Sequence, residues 1–117
     1  MIEDEDGRHE HLHVLLTSPS LAGEIVTACI STRRRWSEAL VCVHPGDHPF
    51  VISESVVPYH FAAIRKCESI EASVKAGKAR PKEKASPELL RRMQAGLLDS
   101  EFTPPGVCAF YKALSDI

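Results

Sequence analysis

The sequence predicts a mostly β domain, a small barrel with C-terminal helices, and three observations carry that expectation. Short apolar runs lie within residues 12–18, 24–32 and 53–65, each closed by polar side chains. Turn chemistry separates the strand-like runs, at Ser18-Pro19-Ser20 with Gly23 and at Pro45-Gly46-Asp47. From residue 86 onward the apolar residues recur at helical spacing instead.

The elements follow in order. Residues 1–8 are acidic and contain Gly7, which suits a frayed arm or a short edge strand. Residues 10–18 read as a buried strand, and the β-branched stretch 25–32 as a strand pairing back on it. A short strand over 39–44 stops at Pro45-Gly46-Asp47, where the Asp47 side chain can cap its own turn. Phe50-Val51-Ile52 continues as β, and a last strand covers 56–64, with Pro58 marking an edge or a break because proline cannot donate to the ladder. The barrel thus spans 10–70, and the lysine-rich link over 75–84 reads as solvated.

Ser86-Pro87-Glu88 starts a helix, with a capping hydroxyl and a proline whose fixed φ suits the first turn. Leu89, Leu90, Met93, Leu97 and Leu98 give it one apolar face. Thr103-Pro104 starts a second helix carrying Val107, Phe110, Tyr111 and Leu114, so the helices occupy 86–115.

With 117 residues the chain is long enough for one core and too short for two, so residues 1–117 form a single domain. A net charge of −2 lacks the basic excess of a typical nucleic-acid binder. The charge is local instead: acidic at Glu3 to Asp6, basic at Arg33 to Arg35, over 75–84, and at Arg91-Arg92. Cys29, Cys42, Cys67 and Cys108 show no Cys-x-x-Cys spacing, and no secretory leader is visible, which points to free thiols in the cytoplasm. No apolar run reaches the roughly 20 residues that span a bilayer.

Several residue groups carry chemistry. Arg33, Arg34 and Arg35 follow directly on a strand end, and Trp36 beside them offers a stacking face for a base. His48, in Gly46-Asp47-His48-Pro49-Phe50, would serve proton transfer if it stood in a groove beside Ser31; Tyr59 and His60 would line the same groove if the Pro58 bend turns them inward. His9, His11 and His13 alternate, so a strand puts all three on one face, at metal-ligand spacing. The plain structural reading competes with each: a strand end at Ser31-Thr32, an exposed arginine loop, Trp36 as a lid on the core, and a chance histidine cluster.

The order of these elements resembles the MazF/PemK-type endoribonuclease toxins of toxin–antitoxin systems. In that family an apolar strand ending in Ser leads to a strand of the form V-x-C-P-I-T-S, and Leu15-Leu16-Thr17-Ser18 with Thr27-Ala28-Cys29-Ile30-Ser31-Thr32 is similar to that pair. A later S-x-V-x-x-x-Q-I-R-T-I segment, followed by a short helix, is resembled by Ser55-Val56-Val57 and by Ala63-Ile64-Arg65-Lys66-Cys67-Glu68-Ser69-Ile70. The chain departs from the pattern at its start: no R-G-D-type strand occurs in residues 1–8, and the family's arginine falls near Glu10 or His11.

The resemblance implies an SH3-like barrel, a homodimer, single-stranded RNA as substrate and an antitoxin protein as partner. It implies metal-independent, cofactor-free cleavage by phosphoryl transfer to the 2′-hydroxyl, which needs a base, an acid and cationic support for the phosphate. Ser31 or Thr32 then hydrogen-bonds the phosphate, Arg33 supplies charge, and His11 stands in for the missing arginine. Arg34, Arg35, Trp36, His48 and Tyr59 contact RNA. Two other functions remain open: a non-catalytic RNA- or protein-binding module on the same barrel, and a metal-binding barrel using His9, His11 and His13.

Overall fold

The computed structural model describes residues 2–6 and 9–115, the side chains of residues 2–6, 9–11 and 115 excepted. In chain order the elements are β1 (Ile2–Asp6), β2 (His9–Leu15), β3 (Glu24–Thr32), β4 (Cys42–Val43), β5 (Ser55–Val56), a 3-10 turn (Tyr59–Phe61), β6 (Ala63–Lys66), α1 (Cys67–Lys75), β7 (Ala79–Pro81), α2 (Pro87–Asp99) and α3 (Pro105–Ser115).

Strand β3 organises them. One edge pairs antiparallel with β2, from Leu12 opposite Ile30 to Leu15 opposite Thr27. The other edge is shared, with β6 against residues 24–27 and β5 against Ser31 and Thr32. The full order is β4-β5-β3-β2-β1-β7, with β6 off this path. Among the described residues β4 and β7 pair only inward, so the antiparallel sheet is open, and the domain is mixed α/β rather than mostly β. No helix among the described residues is long and apolar enough to cross a membrane.

Residues 25–30 of β3 are buried without interruption because both faces of the strand are covered. Val26, Ala28 and Ile30 join Leu12, Val14 and Leu16 in the main core, which Leu89, Met93 and Leu97 of α2 and Val107 of α3 close from above. Thr27 and Cys29 face the opposite side, where the Arg65 Nε–H donates to Thr27 Oγ1 at 3.2 Å. Burial pushes the Cys29 thiol up.

The structure departs from the sequence reading at four places. The expected strand over 56–64 breaks in two, because Pro58 ends the β5 ladder and the chain turns through 3-10 geometry before β6 begins. Phe50 to Ile52 forms no strand: the Val51 N–H turns back to the His48 carbonyl at 3.0 Å, and the Phe50 N–H donates to His48 Nδ1. The acidic start is no edge strand, since β7, inside the supposedly solvated link, pairs with β1 on its outer side. The strand expected over 39–44 shortens to Cys42 and Val43.

Helix α2 begins where the sequence places it, with Ser86 Oγ accepting the Leu89 N–H at 3.1 Å. Its buried face is Leu89, Met93, Gly96 and Leu97, while Leu98 points outward. Its polar residues satisfy strand ends: Gln94 donates to the Leu16 carbonyl at 2.8 Å and Arg92 to the Cys42 carbonyl at 2.9 Å. The second bond covers β4, which ends the sheet and would otherwise present an unpaired carbonyl.

Candidate nucleic-acid interface

The C-terminal end of β3 runs out between two clefts. Ser31 and Thr32 are its last residues, paired with Val56 and Ser55 of β5, and they point to opposite sides of the ladder. Beyond them the chain makes a tight turn from Arg34 to Ser37: the Arg34 N–H donates to Ser37 Oγ at 2.7 Å and the Ser37 N–H to the Arg34 carbonyl at 3.2 Å. That turn holds Trp36 out in solvent at 84% exposure, so it is no lid on the core.

The larger cleft, about 610 Å³, is lined by Ser31, Thr32, Arg34, Trp36, His60, Phe61 and Phe102 among others. Its aromatic rings come from three separate segments, the β3–β4 loop, the 3-10 turn and the turn between α2 and α3. Phe61 and Phe102 are 62% and 58% exposed. An aromatic ring left in water at three converging positions is what a surface needs to stack planar ligands. The smaller cleft, about 340 Å³, has Ser31, Thr32 and Arg34 in its wall too, opposite Phe50, Ile52 and Ser53.

Glu38 closes the back of the larger cleft. Its carboxylate accepts the Tyr59 N–H at 3.1 Å and the Ser100 hydroxyl at 2.5 Å, so its charge is held by two donors rather than presented free.

The structure sorts the sequence-predicted residues. Ser31, Thr32, Arg34 and Trp36 come together. Arg33 belongs to neither wall: its N–H donates to the Glu54 carbonyl at 2.9 Å and its Nη1 lies 4.0 Å from Cys42 Sγ. Arg35 is exposed and belongs to neither wall. His48 does not stand beside Ser31. It is buried at 2% exposure, its Nδ1 accepts the Phe50 N–H and its Nε2 donates to the Glu83 carbonyl at 2.7 Å, so both ring nitrogens are occupied in holding two loops together. Tyr59 is fully buried, and its hydroxyl donates to the Met93 carbonyl at 2.9 Å. The Pro58 bend sends Tyr59 into the core and its neighbour His60 into the cleft.

His11 lies on β2 opposite Asp4, and its side chain falls outside the described residues, as does that of His9. His13 opens on a separate cavity of about 340 Å³ with Arg65, Lys66, Ser69 and Ser73, on the other face of the sheet. Among the described residues no group of three or more His, Cys, Asp or Glu is arranged to hold a metal ion.

Sequence reasoning missed Phe61 and Phe102 and left His60 as an afterthought. Phe102 had a signal: it precedes the Thr103-Pro104 helix start, and a large apolar residue in a polar interhelical turn is unusual. Comparisons of the chain with protein-family models, curated proteins and solved structures give no match.

Proposed function

We propose that this chain is an endoribonuclease that draws single-stranded RNA across the end of β3 and cuts it by transferring a phosphoryl group to the adjacent 2′-hydroxyl. The observation that carries the reading is the wall of Ser31, Thr32 and Arg34 common to two clefts. The Thr32 hydroxyl and the Arg34 guanidinium at that ridge suit a phosphate, and the clefts on either side suit the bases that flank it. Trp36, Phe61 and Phe102 stack one base without reading its sequence, and Phe50 and Ile52 pack against the other.

A duplex suits such a ridge poorly, because stacked and paired bases cannot enter the clefts. On this reading the open sheet is a relaxed form of the SH3-like barrel of the MazF/PemK toxins. The protein then works in the cytoplasm as a homodimer, held in check by an antitoxin protein that covers the same aromatic face. Arg34 takes the charge role that the resemblance implied for Arg33.

The test is incubation of the purified protein with a labelled single-stranded RNA in the presence of a chelator. Cleavage to products with 2′,3′-cyclic phosphate ends, lost in Thr32→Ala and Arg34→Ala, supports the nuclease. Binding without cleavage identifies the non-catalytic module, and neither binding nor cleavage overturns both.

A further inference from the structure

We infer that His60 is the catalytic base of the proposed cleavage, the imidazole that takes the 2′-hydroxyl proton. The inference rests on the nuclease reading and adds to it a proton-transfer group, which the ridge itself does not supply.

Among the described side chains, His60 is the imidazole that lines the cleft shared by Ser31, Thr32 and Arg34. The other described histidines are placed elsewhere. His48 is buried with both nitrogens engaged, His44 Nδ1 meets Glu54 Oε2 at 2.6 Å on the outer surface, and His13 opens on the far face of the sheet. His60 is exposed, so its ring meets solvent and ligand.

The turn that carries it is nonetheless anchored. Tyr59 is anchored at both ends, by its hydroxyl on the Met93 carbonyl and by its N–H on Glu38. The Phe61 N–H closes the turn on the Pro58 carbonyl at 3.1 Å, and the Phe61 ring lies 3.9 Å from the imidazole, tilted by 40°. A buried tyrosine on one side and the tilted Phe61 ring on the other set the imidazole at the cleft wall, where a proton-transfer group can reach a bound ligand. The charged groups of that wall are Arg34 and the donor-held Glu38.

In the step itself the 2′-oxygen forms a bond to phosphorus as the bond from phosphorus to the 5′-oxygen breaks. His60 takes the 2′-hydroxyl proton, and the departing 5′-oxygen takes a proton from water. The imidazolium then returns its proton to the hydroxide left behind, so the enzyme is restored and nothing is oxidised or reduced. Arg34 and the Thr32 hydroxyl support the charge that gathers on the phosphorane oxygens.

The experiment compares wild type, His60→Ala and His60→Gln on one labelled single-stranded RNA, measuring affinity and single-turnover cleavage across pH, with thermal melts as the folding control. The expected result is a cleavage rate lowered about 10²- to 10⁴-fold in both variants. Affinity should stay within about threefold, added imidazole should partly restore cleavage in His60→Ala, and the acid-side limb of the pH–rate profile should flatten. Equal cleavage by wild type and variants overturns the role of His60 and leaves the nuclease standing. So does lowered affinity with an unchanged single-turnover rate. A wild-type protein that does not cleave overturns the nuclease, and the role of His60 with it.

Discussion

The hydroxyl of Tyr59 reaches the helix of Met93 only because residue 96 has no side chain. The phenol donates to the Met93 carbonyl at 2.9 Å, and a Cβ built on Gly96 would collide with the Tyr59 hydroxyl and with Val41. Gly96 sits inside a helix, where glycine is otherwise unfavourable, so the close approach of the ring is the reason for it. Gly96→Ala should therefore destabilise the domain by about 1–3 kcal/mol despite its better helix propensity, read as a lower denaturation midpoint with an unchanged slope. Equal or greater stability contradicts the packing described.

The same phenol makes stability depend on alkaline pH. Burial holds the Tyr59 hydroxyl far above its ordinary value of 10.0, with the carboxylates of Glu38 and Asp99 adding to the effect. The folded state thus binds this proton more tightly than the unfolded one. Its contribution is complete below the ordinary tyrosine range and falls as pH rises beyond about 10. Tyr59→Phe should lose about 1 kcal/mol at neutral pH from the missing hydrogen bond and show a shallower loss of stability above that range. Parallel curves for the two proteins would remove Tyr59 as the cause.

Among the three consecutive arginines the structure separates one from its neighbours. Arg34 lines both clefts, while Arg33 and Arg35 line neither. If RNA crosses the ridge, Arg34→Ala should weaken binding about tenfold and reduce the salt dependence of affinity by about one phosphate contact, with Arg35→Ala changing both much less. Titrations at several salt concentrations decide it, and equal effects of the two substitutions would reduce the arginines to a diffuse basic patch.

What the sequence discloses follows from the range of the physics involved. The caps and turns were legible because they are local: Ser86 with Pro87 sets the start of α2, and the Asp47 carboxylate accepts the His44 N–H at 2.9 Å across Pro45-Gly46, as the turn pattern requires. The β2–β3 pair was legible because two apolar runs flank a turn. Strand β7 was not, because Ala79, Arg80 and Pro81 have little strand propensity and gain their pairing from β1, more than 70 residues away in sequence. Half of the site was legible for the same reason. Ser31, Thr32, Arg34 and Trp36 are neighbours in the chain, but His60, Phe61 and Phe102 arrive from two other segments. Whether Tyr59 or His60 faces the cleft depends on a 3-10 turn that no periodicity announces.

Trp36 is the chain's one tryptophan and stands in the wall of the larger cleft, so its emission reports on that cleft alone. Titration with a short single-stranded RNA should quench it and shift it to shorter wavelength, with saturation at the affinity measured independently, and Phe61→Ala or Phe102→Ala should weaken the same titration by about 1–3 kcal/mol. An emission spectrum unmoved while RNA binds would place the nucleic acid elsewhere on the protein and contradict the ridge at the end of β3 as its site.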